Sequence, residues 1–146
     1  MREVRALGFK IGLHTGGMYP QRLAAVLPLV DWVGLDVKAP FADYARVTGV
    51  PGSGERAHAG LLEVVASGAV HEVRTTVHPA LLADAEVVSL AHDLAAHGVK
   101  HFVIQAFRSQ GCADEALCQN ATRGRPLRDV GEGLAGLFED FSVRAT

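Results

Sequence analysis

The sequence predicts an α/β fold with about four parallel strands. Three features predict it. Short β-type runs alternate with segments of helical apolar spacing, the pattern of strands joined by right-handed helical crossovers. The runs start near residues 10, 32, 72 and 101, a spacing of about 20–40 residues that suits βα units. The runs also agree in phase: alternate residues point to opposite faces of a strand, and in all four one face is apolar. The other face carries His14, Asp36, Lys38, Arg74, Thr76 and Gln105. Strands buried on both faces read as continuous apolar runs, so a polar face repeated from strand to strand points to a lumen that holds something polar.

Residues 2–8 read as the last turns of a helix, with Val4 and Leu7 three apart and Gly8 as the stop. The first strand, 10–14, sets Ile11 and Leu13 against Gly12 and His14. Pro20 then opens a helix with Leu23, Val26, Leu27 and Val30 on one side. In the second strand, 32–38, Val33, Leu35 and Val37 oppose Gly34, Asp36 and Lys38. One or two helical turns over 41–48 end at Gly49, and Ser53 is expected to cap a helix carrying Leu61, Leu62, Val64 and Val65. The third strand, 72–77, opposes Val73 and Val77 to Glu72, Arg74 and Thr76. Asp84 is expected to cap a helix with Val87, Val88, Leu90, Ala91 and Leu94, which Gly98 stops. The fourth strand, 101–107, is the weakest in pattern. After a polar stretch over 109–126, Leu134, Leu137, Phe138 and Phe141 predict a last helix from about Leu127 to Phe141.

The 146 residues suit one domain, and 49% hydrophobic with 21% charged is ordinary for a globular protein. A net charge of −2 gives no electrostatic case for nucleic acid or an anionic membrane as partner. There is no run of about 20 apolar residues and no signal-peptide core in Met1–Arg5, so a cytoplasmic protein is expected. Cys112 and Cys118 are the only cysteines, and five intervening residues match neither a CxxC pair nor a zinc spacing. They read as two free thiols, and His58, His71, His92, His97 and His101 show no ligand spacing.

Several motifs occur together in one order. They are Gly8-Phe9-Lys10-Ile11-Gly12-Leu13-His14-Thr15-Gly16-Gly17, Tyr19-Pro20, Asp31-Trp32-Val33-Gly34-Leu35-Asp36-Val37-Lys38-Ala39-Pro40, Tyr44 with Thr48-Gly49, Glu72-Val73-Arg74-Thr75-Thr76-Val77-His78-Pro79 and Gln105-Ala106-Phe107-Arg108. In this, residues 5–108 resemble the radical S-adenosylmethionine (SAM) proteins that activate anaerobic ribonucleoside-triphosphate reductase. The pyruvate formate-lyase activators are more distant relatives. The resemblance implies a partial (β/α)6 TIM-like barrel and a 4Fe-4S cluster held by a CxxxCxxC loop. It further implies reductive cleavage of SAM to a 5′-deoxyadenosyl radical, which takes a hydrogen atom from a glycine of the partner reductase.

The chain departs from that family at the cluster: it has no CxxxCxxC and only two cysteines, where three thiolates are needed. The first two family strands and the Gly-rich segment that meets the SAM amino group also have no counterpart. The expectation is therefore the C-terminal portion of such a barrel, with 1–108 as the truncated barrel and 109–146 as the loop and helix that complete the same domain. Such a chain would hold no cluster, and its first strand would be an open edge, guarded by Lys10 alone and prone to self-association.

By position, the resemblance implies SAM contacts for His14 and Thr15 in the turn after the first strand, for Asp36 and Lys38 near the methionyl group, and for Arg74 near the carboxylate or ribose. It implies adenosine contacts for Gln105 and Arg108. Where the family turn carries Asp-Thr-Asn-Gly, this chain has His14-Thr15-Gly16-Gly17, which removes a carboxylate. The competing readings are structural: an ion pair for Asp36 and Lys38, a salt bridge from Arg74 to Glu72 or Asp36, a turn role for His14, a strand-end role for His78, and a solvated basic loop for Arg123, Arg125 and Arg128. Two further functional readings stand beside the activating enzyme. One is a non-catalytic remnant that binds SAM or a partner. The other is an unrelated small-molecule α/β enzyme.

Overall fold

A computed structural model describes residues 1–120 and 126–144. The chain folds around one parallel sheet of five strands in the order β1-β2-β3-β4-β5. These are β1 Gly12–Thr15, β2 Trp32–Asp36, β3 Val70–Val77, β4 His101–Ala106 and β5 Asp140–Arg144. The crossovers carry α2 (Pro20–Val26), α3 (Tyr44–Thr48), α4 (Ser53–Ala66) and α5 (Asp84–Ala96). α1 (Arg2–Ala6) precedes the sheet, and α6 (Glu115–Asn120) and α7 (Leu127–Gly131) lie between β4 and β5. Among the described residues, no helix is long and apolar enough to cross a membrane.

One hydrophobic core joins the apolar strand face to the helices. Val33, Leu35, Val73, Phe102 and Ile104 meet Leu61 and Val64 of α4 and Leu90 and Leu94 of α5, all fully buried. This is the apolar phase expected from the alternation. The ladder sets Asp36 beside Arg74 and Thr76 beside Gln105. Beyond the ladder, Val37 N–H donates to the Arg74 carbonyl at 2.9 Å and the buried Thr75 hydroxyl donates to the Val37 carbonyl at 2.8 Å.

Glycines let the helical layer approach closely. A Cβ on Gly60 of α4 would lie 2.3 Å from the Gly17 carbonyl oxygen, so the turn after β1 rests directly on that helix. A Cβ on Gly54 would lie 1.9 Å from the Phe41 carbonyl.

Three expectations are corrected. The sheet has a fifth strand, and residues 127–141 do not form one helix. α7 stops at Gly131, a 3₁₀ turn spans Ala135–Leu137, and β5 follows. Gly131, Gly133 and Gly136 make a long helix costly, while Phe141 and Val143 alternate with Ser142 and Arg144 as in a strand. Val130 and Leu134 still enter the core, from separate elements. The other two corrections concern caps. Gly52 precedes α4, and the Ser53 hydroxyl instead meets Thr48 Oγ1 at 2.7 Å. Ala83 precedes α5, where the Glu86 carboxylate accepts the Ala83 N–H at 2.8 Å. Arg128 is exposed in α7, whereas Arg123 and Arg125 lie outside the described residues.

Candidate functional site

The polar face of the sheet is organised around Arg74, on the central strand. Its Nη2 donates to His14 Nδ1 at 2.8 Å and lies 3.2 Å from Asp36 Oδ1. Guanidinium has no acceptor, so His14 accepts through Nδ1 and a neutral ring carries its proton on Nε2. Arg74 reaches from β3 to β1 across β2, and Gly34 makes this passage possible. A Cβ there would lie 2.7 Å from both His14 Nδ1 and the Trp32 ring. Trp32 holds His14 edge-on, with ring centroids 5.1 Å apart.

On its other side, Arg74 Nε lies 4.0 Å from Glu72 Oε1, within ion-pair reach but too far for a hydrogen bond. That buried N–H has no hydrogen-bond partner. Glu72 is engaged by Arg144, whose two terminal nitrogens donate to its two oxygens at 3.2 and 2.8 Å. The fork is bidentate, the stronger geometry for such pairs. Arg144 is not legible as a site neighbour from the sequence, because the helix predicted there ends at Phe141 and no strand is predicted beyond it.

At the carboxyl ends of β2 and β3 lies a small pocket of about 140 Å³. Asp36, Lys38, Arg74 and Thr76 form its polar side, and Val47, Leu81, Leu82 and Phe107 its apolar side. Ligand pockets usually measure about 300–1,000 Å³, so this one by itself has room for only part of a ligand of ordinary size. The walls are braced. Tyr44, buried in the core, accepts the Lys38 N–H on its phenolic oxygen at 3.1 Å. Burial pushes the Tyr44 phenol up from its ordinary range against the lowering effect of that hydrogen bond. Arg46 of α3 donates to the Leu81 carbonyl at 2.7 Å and pairs with Glu86 of α5.

His14, Asp36 and Arg74 thus form one cluster. Lys38 follows the end of β2 with its side chain exposed, and among the described residues no ion pair reaches its ammonium. Gln105 donates to Thr76 Oγ1 at 2.8 Å, a separate pair on the same face. Thr15 does not join them. Its phase is opposite to that of His14, and its hydroxyl accepts the Gly17 N–H at 3.1 Å, which shapes the turn. Arg108 is exposed beyond β4. His78 is buried and satisfied: Nδ1 accepts the Ala80 N–H at 3.0 Å, and Nε2 donates to the Leu117 carbonyl at 2.9 Å.

A second depression, of about 360 Å³, is lined by Met18, Tyr19, Pro20, Gln21, Arg22 and Arg56. It is larger but more open, and none of the polar-face cluster lines it. Among the described residues no group of three or more His, Cys, Asp or Glu could hold a metal ion. No protein-family model and no curated protein matches the chain.

Proposed function

We propose that this sheet is an arc of a partial (β/α)6 radical SAM barrel of the glycyl-radical activating type, and that its polar face receives SAM. The observation that carries the reading is a pair of cations that line the pocket: Arg74 on the central strand, held by His14 and Asp36, and the exposed Lys38. A ligand carboxylate suits them. The strand order supports the barrel part of the proposal. Five parallel strands in sequential order with right-handed crossovers send every connecting helix to one face. In barrels the opposite face closes on itself, and the ligand site lies at the carboxyl ends of the strands.

The donor set fits SAM. Arg74 and Lys38 suit its carboxylate, Asp36 its ammonium, and Gln105 with Thr76 the hydroxyls and ring nitrogens of a nucleoside. When cleaved by one-electron reduction, SAM supplies a 5′-deoxyadenosyl radical that takes a hydrogen atom from a glycine. The chain's own roles are to bind and orient: Arg74 fixes the carboxylate, Gly34 keeps the path to His14 open, and Tyr44 sets the backbone at Lys38. A 4Fe-4S cluster does not fit this chain, since two cysteines are too few thiolates. No electron-transfer step is therefore assigned to its residues. The glycyl-radical partner, such as an anaerobic ribonucleotide reductase, and a cytoplasmic setting belong to the same proposal. The cysteine count favours one alternative, a SAM-binding module without redox chemistry of its own.

The test is calorimetric titration of the chain with SAM, beside a thermal melt. Saturable binding is expected, and Arg74→Gln should weaken it by about 10–100-fold, the value of a lost charge-assisted hydrogen bond set. Equal affinity in a folded variant, or no saturable binding by the parent chain, would overturn the proposal.

A further inference from the structure

We infer that Cys112 and Cys118 form a reversible redox pair, closed to an intramolecular disulfide by low-molecular-weight disulfides of the glutathione type. The two thiols are free and half-buried. The Cys118 Sγ lies 3.9 Å from the Cys112 carbonyl oxygen and 3.9 Å from the Ser109 carbonyl oxygen. The Cys118 thiol therefore lies against the backbone of Cys112. The turn that brings them together is defined by backbone bonds: Cys112 N–H donates to the Ser109 carbonyl at 3.0 Å, and Cys118 N–H to the Asp114 carbonyl at 3.1 Å. Asp114 Oδ1 accepts the Leu117 N–H at 3.1 Å, fixing the first turn of α6.

The exchange balances without a metal. One protein thiolate attacks the S–S bond of the small disulfide, forming a mixed disulfide and expelling one small thiolate. The second protein thiol loses its proton and attacks the protein sulfur of that mixed disulfide, expelling the other small thiolate, and the two thiolates take up the released protons. The protein dithiol is oxidised by two electrons, and one small disulfide is reduced to two small thiols. Burial first, and then the neighbouring Cys112, push the Cys118 thiol up from its ordinary range. Thiolate is the reactive form, so exchange should speed up as the pH rises through the alkaline range.

The bond would matter for the pocket. The α6 turn is tied to the end of β3 by the hydrogen bond from His78 Nε2 to the Leu117 carbonyl. His78 and Phe107 both line the pocket and touch edge-on, with ring centroids 4.8 Å apart. A disulfide from Cys112 to Cys118 would fix Leu117, next to Cys118, relative to the chain leaving β4. It would stiffen the segment over His78 whether or not SAM is the ligand, so the inference stands apart from the proposed function.

The experiment equilibrates the reduced chain with graded ratios of glutathione disulfide to glutathione, under nitrogen, in buffer and in urea. Quenching with N-ethylmaleimide, trypsin digestion and mass spectrometry follow. Both cysteines fall in one tryptic peptide, residues 109–123. The expected product is that peptide short of two hydrogens and carrying no maleimide, with an equilibrium constant in buffer at least about tenfold above that in urea, equivalent to about 30 mV. Cys112→Ser and Cys118→Ser should each trap a single glutathione adduct instead. Stable mixed disulfides in the parent chain, dimers linked between chains, or an equal constant in buffer and urea would each overturn the inference.

Discussion

Gly60→Ala separates packing from propensity by the sign of its effect. In an open helix interior, alanine is better than glycine by about 1 kcal/mol. At this position, however, the new Cβ would lie 2.3 Å from the Gly17 carbonyl oxygen, 2.7 Å from its Cα and 2.8 Å from its carbonyl carbon. All three are backbone atoms, so no side-chain rotation relieves the overlap. The turn has little room to retreat, because Gly17 is buried. α4 must therefore shift away from α2 and the β1 turn, an overpacking cost of about 1–3 kcal/mol. Set against the helix gain, the net is a destabilisation of about 0–2 kcal/mol. For a domain near 150 residues this lowers Tm by up to about 8 °C. The assay is a thermal melt followed by circular dichroism, with Ala66→Gly at an exposed position of the same helix to calibrate the propensity term. A Gly60→Ala melt above the parent's by the calibrated amount would refute the close approach, and with it the placement of the His14 turn on α4.

Further outcomes follow from the same geometry. Gly34→Ala should displace His14 from Arg74 and cost about 1 kcal/mol, the lower end of overpacking because side chains rather than backbone yield; nitrogen NMR of His14 should show the Nε2–H tautomer in the parent chain and lose it in the variant. Unchanged stability and tautomer would contradict the contact. Asp31 accepts the Ile11 N–H at 2.8 Å, with Lys10 and Arg5 nearby, and these hold its carboxyl below the ordinary value of 3.8. Its stabilising effect is therefore full above that value and is lost as pH falls through the lower folded-state value. Asp31→Asn should lower Tm at neutral pH, and the gap to the parent should close in acid; a gap independent of pH would refute the assignment. β1 is an edge strand flanked by the exposed side chains of Leu7 and Phe9, so light scattering should show mass rising with concentration, and Phe9→Lys should suppress it. A concentration-independent monomer would count against edge pairing.

What the sequence made legible is what depends on local alternation. Period two in four strands was enough to assign Val33, Leu35 and Val73 to the core and His14, Asp36 and Arg74 to one polar face, as the structure has them. The fifth strand was hidden because Leu134, Leu137, Phe138 and Phe141 fall at helical spacing, although Leu137 ends a 3₁₀ turn, Phe141 belongs to a strand, and Leu134 and Phe138 lie between elements. Losing β5 also lost the Arg144–Glu72 fork, since a strand residue can be assigned a face only once its strand is known. Thr15 enters with His14 through the resemblance of the whole turn, yet neighbours on a strand point to opposite faces. Gly34 and Gly60 could not have been singled out by pattern, because what they accommodate comes from distant parts of the chain.

The charges on the polar face argue for a ligand that carries a carboxylate. Arg144 is bound by Glu72 on both its terminal nitrogens, and Asp36 is bound by Arg74. His14, as acceptor from Arg74, is neutral. That leaves Lys38 as a third cation beside two carboxylates, at the rim of the pocket and exposed. Lys38 and the Arg74 guanidinium both line the pocket, so a ligand carboxylate placed between them meets two cations. An ammonium on the same ligand can then be received by Asp36. A ligand without a carboxylate would offer Arg74 and Lys38 no anion to bind. An amino-acid zwitterion attached to a larger body carries one group for each of these partners, and this match is the ground on which SAM is proposed as the ligand.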